Sequence, residues 1–224
     1  MTSGKTYLQL VNIVLARMRE SSVATVSETI YSTYIGTLLN QVKAEIEQAY
    51  YWNALRDTYA INTVASTTSY AFTGAGPAAV VMGDGWDTTS PGDVRRGTNY
   101  QFNQWYFGTV SANIPTGPVT HFIPAGIDAN LDLKIDVYPI PDAVYALKFN
   151  LYVPQADLSD ASDVCYIPQD VLIEETIARA MVERGDDASP KPAPGETFIL
   201  TNLLAQAVAR EAGHDDEEMD WVPN

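Results

Sequence analysis

Between Leu131 and Val153 the chain alternates twice between apolar and polar residues. Leu131, Leu133, Ile135 and Val137 are separated by Asp132, Lys134 and Asp136. After Pro139-Ile-Pro-Asp142 the pattern resumes at Tyr145, Leu147, Phe149, Leu151 and Val153. Only an extended backbone puts every second side chain on one face, so the stretch must be β-structure with one dry and one wet side. Two such runs joined through a Pro-containing turn read as an antiparallel hairpin. A chain holding this piece cannot be all-helical.

Both ends of the chain carry the other period. Leu8, Val11, Leu15 and Met18 recur at helical spacing within Thr6 to Arg19. Ser27 is placed to cap a second helix that runs to about Tyr51, with Ile30, Tyr34, Leu38, Val42, Ile46 and Ala49 on its buried face. A third helix begins at Pro168 and ends near Arg184-Gly185, with Val171, Ile173, Ile177, Ala180 and Met181 inward. Pro190, Pro192, Pro194 and Gly195 form a linker to a fourth, Glu196 to Ala212, closed by Gly213.

From Asp57 the composition turns to Thr, Val, Tyr, Gly and Pro. Short strands are predicted at Tyr59–Ile61, Tyr70–Phe72 and His121–Ile123, and Gly74 to Gly97 reads as a long loop with one strand at Ala79–Met82. The order helix–helix, sheet, helix–helix predicts an α+β fold: a helical bundle formed by the N- and C-terminal helices with an inserted antiparallel β unit. The expected divisions are 1–57 and 154–213 for the bundle, 58–153 for the β unit, and 214–224 for an acidic extension.

Charge narrows function. Of 224 residues, 28 are acidic and 13 basic, a net of −15. That excludes a nucleic-acid binder working by broad phosphate neutralisation, and the 46% apolar content excludes a disordered chain. The acidity is lopsided. Up to Ile127 there are 8 acids and 7 bases; from Asp128 onward there are 20 acids and 6 bases. A single cysteine, Cys165, forbids an intrachain disulfide and reads as a small apolar residue. No stretch is long and apolar enough to suggest a membrane span, and the N-terminus makes a poor signal peptide.

A search for chemistry gives no catalytic constellation, no metal set and no cofactor motif. Asp84-Gly-Trp-Asp87 lacks the spacing of a calcium loop, and the glycine pairs near it lack the Lys-Ser/Thr of a phosphate loop. His121 on a strand reads as a packed histidine and His214 as a helix-end one. Trp105-Tyr106-Phe107 suits packing more than base or sugar stacking. Arg95-Arg96 is the only tight basic pair and a candidate partner contact. In the tail, Met219, Trp221 and Val222 stand apolar among acids, the pattern of an interface anchor.

The chain resembles the head-to-tail adaptor (connector) proteins of short-tailed bacteriophages, the tail tubular protein A-like group. Tyr7 to Val23 looks like that family's first helix, with Asn12 inside it and a Glu20-x-x-Val23 exit. Tyr50-Tyr51-Trp52 followed by Leu55-Arg56 is similar to its lead into the β unit. Tyr138-Pro-Ile-Pro-Asp142, Tyr145 to Tyr152, Leu158-Ser159 and Ile167-Pro168 complete the likeness. The Gly74–Gly97 loop and the Trp-bearing tail depart from it.

The resemblance implies a structural virion protein, not an enzyme and without a cofactor, assembled in the host cytoplasm and placed at the head–tail junction. It implies a homo-oligomeric ring of about twelve copies. The ring binds the portal protein above and tail nozzle or tail fibre proteins below, touches no membrane, and lets genomic DNA pass without specific binding. Met219, Trp221 and Val222 are then the candidate contact to the portal or a neighbouring subunit. Acids lining the channel would keep the duplex from sticking. Two other readings remain: a head- or tail-completion protein of a long-tailed phage, and a tail-associated cell-wall hydrolase or carbohydrate-binding component resting on the acids with Trp86, Trp105 and Tyr106.

Overall fold

The computed structural model describes residues 4–108, 114–185 and 198–215. It divides into two compact units, Met1–Leu55 with Gln155–Asn224, and Arg56–Pro154.

In the first unit, α1 (Tyr7–Arg17) starts at Thr6 because that residue and Gln9 satisfy each other's free backbone N–H groups. Tyr7, Leu10, Val11, Val14 and Leu15 form its buried stripe. Asn12, on the same helix, donates to the Val23 carbonyl at 3.0 Å and accepts the Val23 N–H at 2.8 Å. One amide thus pins the chain where it turns back after α1. The next helix, α2 (Ile30–Ala49), is capped by Thr29 rather than Ser27. Ile35, Leu38, Leu39, Val42 and Ile46 are buried, but Ile30, expected inward, is 93% exposed at the helix start.

Returning chain adds α4 (Gln169–Glu183) and α5 (Phe198–Asp215). Helix α5 runs through Gly213 instead of stopping there. Ion pairs tie α4 to its neighbours: Arg17 to Glu174 at 3.0 Å, Arg179 to Glu45, and Arg184 to Glu20 at 2.8 Å. These pairs are partly exposed and each contributes little alone. The buried pair is different. Lys43 and Glu47, 1% and 3% exposed, meet at 3.2 Å, and Lys43 Nζ also donates to the Gln155 carbonyl.

The second unit is a sheet of eight strands: β1 (Arg56–Asn62), β2 (Ser69–Ala71), β3 (Val80–Val81), β4 (Gly85–Asp87), β5 (Gly92–Arg96), β6 (His121–Ile127), β7 (Leu133–Tyr138) and β8 (Ala146–Tyr152). A further helix, α3 (Asn99–Tyr106), sits between β5 and β6 in the chain. Strand order is β1-β8-β4-β5-β6-β7-β2, with β3 also on β8. Strands β1 and β2 stand at opposite ends of this order, yet only residues 63–68 separate them in the chain. The sheet therefore has to curl until its ends approach. Tyr59 of β1 meets Phe72, just past β2, edge-on at 6.1 Å. Phe72, Phe122, Ile135, Val137, Leu147, Phe149 and Leu151 fill the interior. Gly85 is required there, since a Cβ would lie 2.3 Å from the Phe149 ring.

Three expectations are overturned. The chain is not a helical bundle carrying a small inserted antiparallel unit. It is a mixed α/β protein dominated by an eight-stranded, nearly closed, barrel-like sheet, with five helices among the described residues. The sheet is not wholly antiparallel either, because β5 and β6 run parallel, Arg95 opposite His121. And the two alternating runs are not a hairpin: β7 pairs with β6 and β2, while β8 pairs with β1, β3 and β4. Alternation fixes which residues face inward, and both strands do alternate, but it carries no information on which edge meets which. Strand β3 lies within the expected Ala79–Met82, whereas β4 and β5 fall in the stretch expected as loop, because three to five residues bounded by Gly and Pro are too short to show a period.

Substituting Lys43 by Ala leaves Glu47 buried without its cation and is expected to cost about 3–5 kcal/mol. The double change Lys43→Met with Glu47→Leu should recover most of that loss, measured by urea denaturation.

Candidate functional site

Aromatic and titratable side chains gather against β6 and β7. Helix α3 places them. Thr98 and Gln101 form a reciprocal cap that starts the helix, and the i, i+3, i+4 spacing then sets Phe102, Trp105 and Tyr106 on one side. Phe102 is buried under the helix, where Gly97 leaves it room: a Cβ there would come within 2.8 Å of its ring. Trp105 stacks on Tyr138 at 4.3 Å and 12° between planes, and its ring lies 5.0 Å from His121. The Tyr106 hydroxyl donates to the Val137 carbonyl. Burial first, then the Asp136 carboxylate, pushes the Tyr106 phenol up to about 12.

Beside this shelf lies a pocket of about 340 Å³ whose walls include Phe102, Asn103, Tyr106, Phe107, Ile123 and Asp136. Phe107 is 84% exposed at its rim. Asn99 and Thr68 also line it.

Arg95 and Arg96, the candidate partner contact, end β5 with both side chains exposed. The Arg95 N–H donates to the Thr120 carbonyl and the Arg96 N–H to Asp84 Oδ1, each at 2.9 Å. Among the described residues, neither guanidinium has a hydrogen-bond or ion-pair partner. Arg95 lies opposite His121 in the parallel pairing. Burial and the Arg95 charge both hold the His121 imidazole below its usual value, and Asp84 opposes them weakly. The His121 ring shares a hydrogen bond with the Thr120 hydroxyl at 2.9 Å.

Met219, Trp221 and Val222, the other candidate contact, lie outside the described residues. No group of three or more His, Cys, Asp or Glu side chains able to hold a metal occurs among the described residues. Asp84 and Asp87 do not converge on one point: Asp84 accepts from Arg96, Asp87 from Thr89 and Ser90 at 2.8 and 3.1 Å. Cys165 is 4% exposed, and burial pushes its thiol up to about 11. A thiol that stays protonated at neutral pH is a poor nucleophile.

No protein-family model matches the chain, and no curated protein matches it either. Function therefore has to be read from the side chains themselves. They supply an aromatic shelf, a pocket lined by one carboxylate, and two guanidinium groups without a partner among the described residues. No helix among the described residues is long and apolar enough to cross a membrane.

The sequence reading singled out Arg95 and Arg96 but missed Asp136, Asn99 and Asn103. The signal for Asp136 was present, since alternation put it on the wet face of β7. Asn99 and Asn103 share a face only because residues 99–106 are helical, and this short aromatic run carries no clear helical period in the sequence.

Because Arg95 helps hold the His121 imidazole down, Arg95→Gln should raise the His121 pKa toward its ordinary value. An NMR titration of the His121 ring reads this directly. In the parent protein the lowered value means unfolded chain binds the proton first, so His121 costs stability as pH falls through about 6.5.

Proposed function

We propose that this chain is a virion connector: a ring of about twelve copies that joins the portal to the tail of a short-tailed phage and lines the DNA channel. The observation that carries the reading is where the charge sits. The unit built from both chain ends holds 20 acids against 8 bases, a net of −12, and the sheet unit holds 8 against 5, a net of −3. Within that unit, residues 1–55 are balanced at 4 acids against 4 bases, and residues 155–224 hold 16 against 4, so the excess belongs to the returning part of the chain.

Four of the eight bases in the acidic unit, Arg17, Lys43, Arg179 and Arg184, are already engaged in ion pairs within it. Twelve acids in the unit have no base to balance them. A channel wall of like charge repels phosphates over roughly a Debye length, about 8 Å at physiological salt, which keeps a moving duplex from adhering. Exposed apolar residues on the same unit, Ile30 at 93%, Tyr166 at 60% and Val182 at 56%, suit contact with neighbouring copies. The resemblance in Tyr7–Val23 and Tyr138–Tyr152 supplies the partners: portal above, nozzle or fibre proteins below.

Electron microscopy of the protein mixed with portal should show rings of about twelve subunits with a predominantly acidic lumen. A stable monomer that degrades cell wall, or a basic lumen, would overturn the reading. Met219, Trp221 and Val222 are the proposed portal anchor. Truncation after Asp215 should then abolish capture by immobilised portal while leaving the far-UV circular dichroism unchanged, and undiminished capture would remove the anchor.

A further inference from the structure

The pocket beside α3 has a feature that packing does not explain. Among the described residues, its one charged wall is Asp136, and that carboxylate has no hydrogen-bond or ion-pair partner there. Lys134, two residues back on the same face of β7, makes no ion pair with it. The polar side chains that share the wall, Asn99, Asn103 and Thr68, are likewise without partners among the described residues. Ser69 lies opposite Asp136 in the β2–β7 register, and its hydroxyl is buried with no partner. The rings of Phe102, Tyr106 and Phe107 line the same pocket as Asp136, Asn99, Asn103 and Thr68. The Tyr106 hydroxyl is unavailable, because it is committed to Val137.

We infer that this pocket binds a guanidinium group, the side chain of an arginine presented by a polypeptide partner. The chemistry of the walls selects for it. A guanidinium is flat, so it lies against aromatic faces, and their negative quadrupoles attract it. It presents N–H donors in a planar fork, which matches a bare carboxylate flanked by amide and hydroxyl oxygens. An ammonium concentrates its charge at one point and has three donors to place. A neutral sugar can hydrogen-bond the amides but leaves the Asp136 charge uncompensated. The pocket volume of about 340 Å³ admits the side chain with its methylene stem against Phe107 and Ile123.

This inference does not depend on the connector reading, since a single copy contains the whole pocket. The test is calorimetric titration of the full chain with N-acetyl-arginine amide at low salt, beside its neutral isostere N-acetyl-citrulline amide. Saturable binding of the arginine probe is expected, with none for the citrulline probe. Asp136→Asn and Phe107→Ala should each weaken binding about tenfold or more. Phe107 is at the exposed rim, so its replacement tests the site without disturbing the interior. Equal binding of the two probes, or no arginine binding up to about 50 mM, would overturn the proposal. Tighter binding of chitotriose than of arginine would also overturn it and assign the pocket to sugars.

Discussion

Seven consecutive residue pairs, Arg56 opposite Tyr152 through Asn62 opposite Ala146, join the first strand of the sheet to the last. Much else follows from this pairing. It brings the chain back to where it left, so residues before Arg56 and after Pro154 can share one hydrophobic interior. It also occupies one edge of β8 and gives the other to β3 and β4. With β8 committed, β7 must find its partners in β6 and β2. The short link from β1 to β2 then draws the two ends of the strand order together.

The return point carries its own anchor. Gln155, the first residue after the sheet unit, gives its carbonyl to Lys43 Nζ, and Glu47 completes the buried group. Burial raises the Glu47 carboxyl, and Lys43 and the Gln155 N–H only partly offset that. An arrangement this costly to desolvate gives little net stability but penalises any other path for the returning chain. Asn40 does a similar job three residues on, reading both backbone groups of Leu158. Together with Asn12 on Val23, these side chains fix the irregular segments that hydrophobic contact alone would leave loose.

Function follows a different logic from folding here. The acidity is concentrated in the unit made from the chain's ends, whereas Arg95, Arg96 and Asp136, without partners among the described residues, lie on the sheet unit. Both suit a protein that works by contact. In the proposed connector, the first set would keep phosphates from adhering and the second would meet protein partners.

Much of the local structure was legible in the sequence. The α1 stripe, the buried positions of β7 and β8, and the helix after Pro168 all follow from periodicity, because the side-chain repeat of a helix or strand is a local property of the backbone. Candidate residues Arg95 and Arg96 were visible as the only close basic pair. What the sequence could not decide was partnership: that β8 joins β1 instead of β7, that β5 lies parallel to β6, and that Asp136, Asn103 and Phe107 meet around one pocket. Each depends on residues far apart in the chain coming together. The free energy that selects among such pairings belongs to the filled interior and the closed edges of the whole sheet, which no single segment contains.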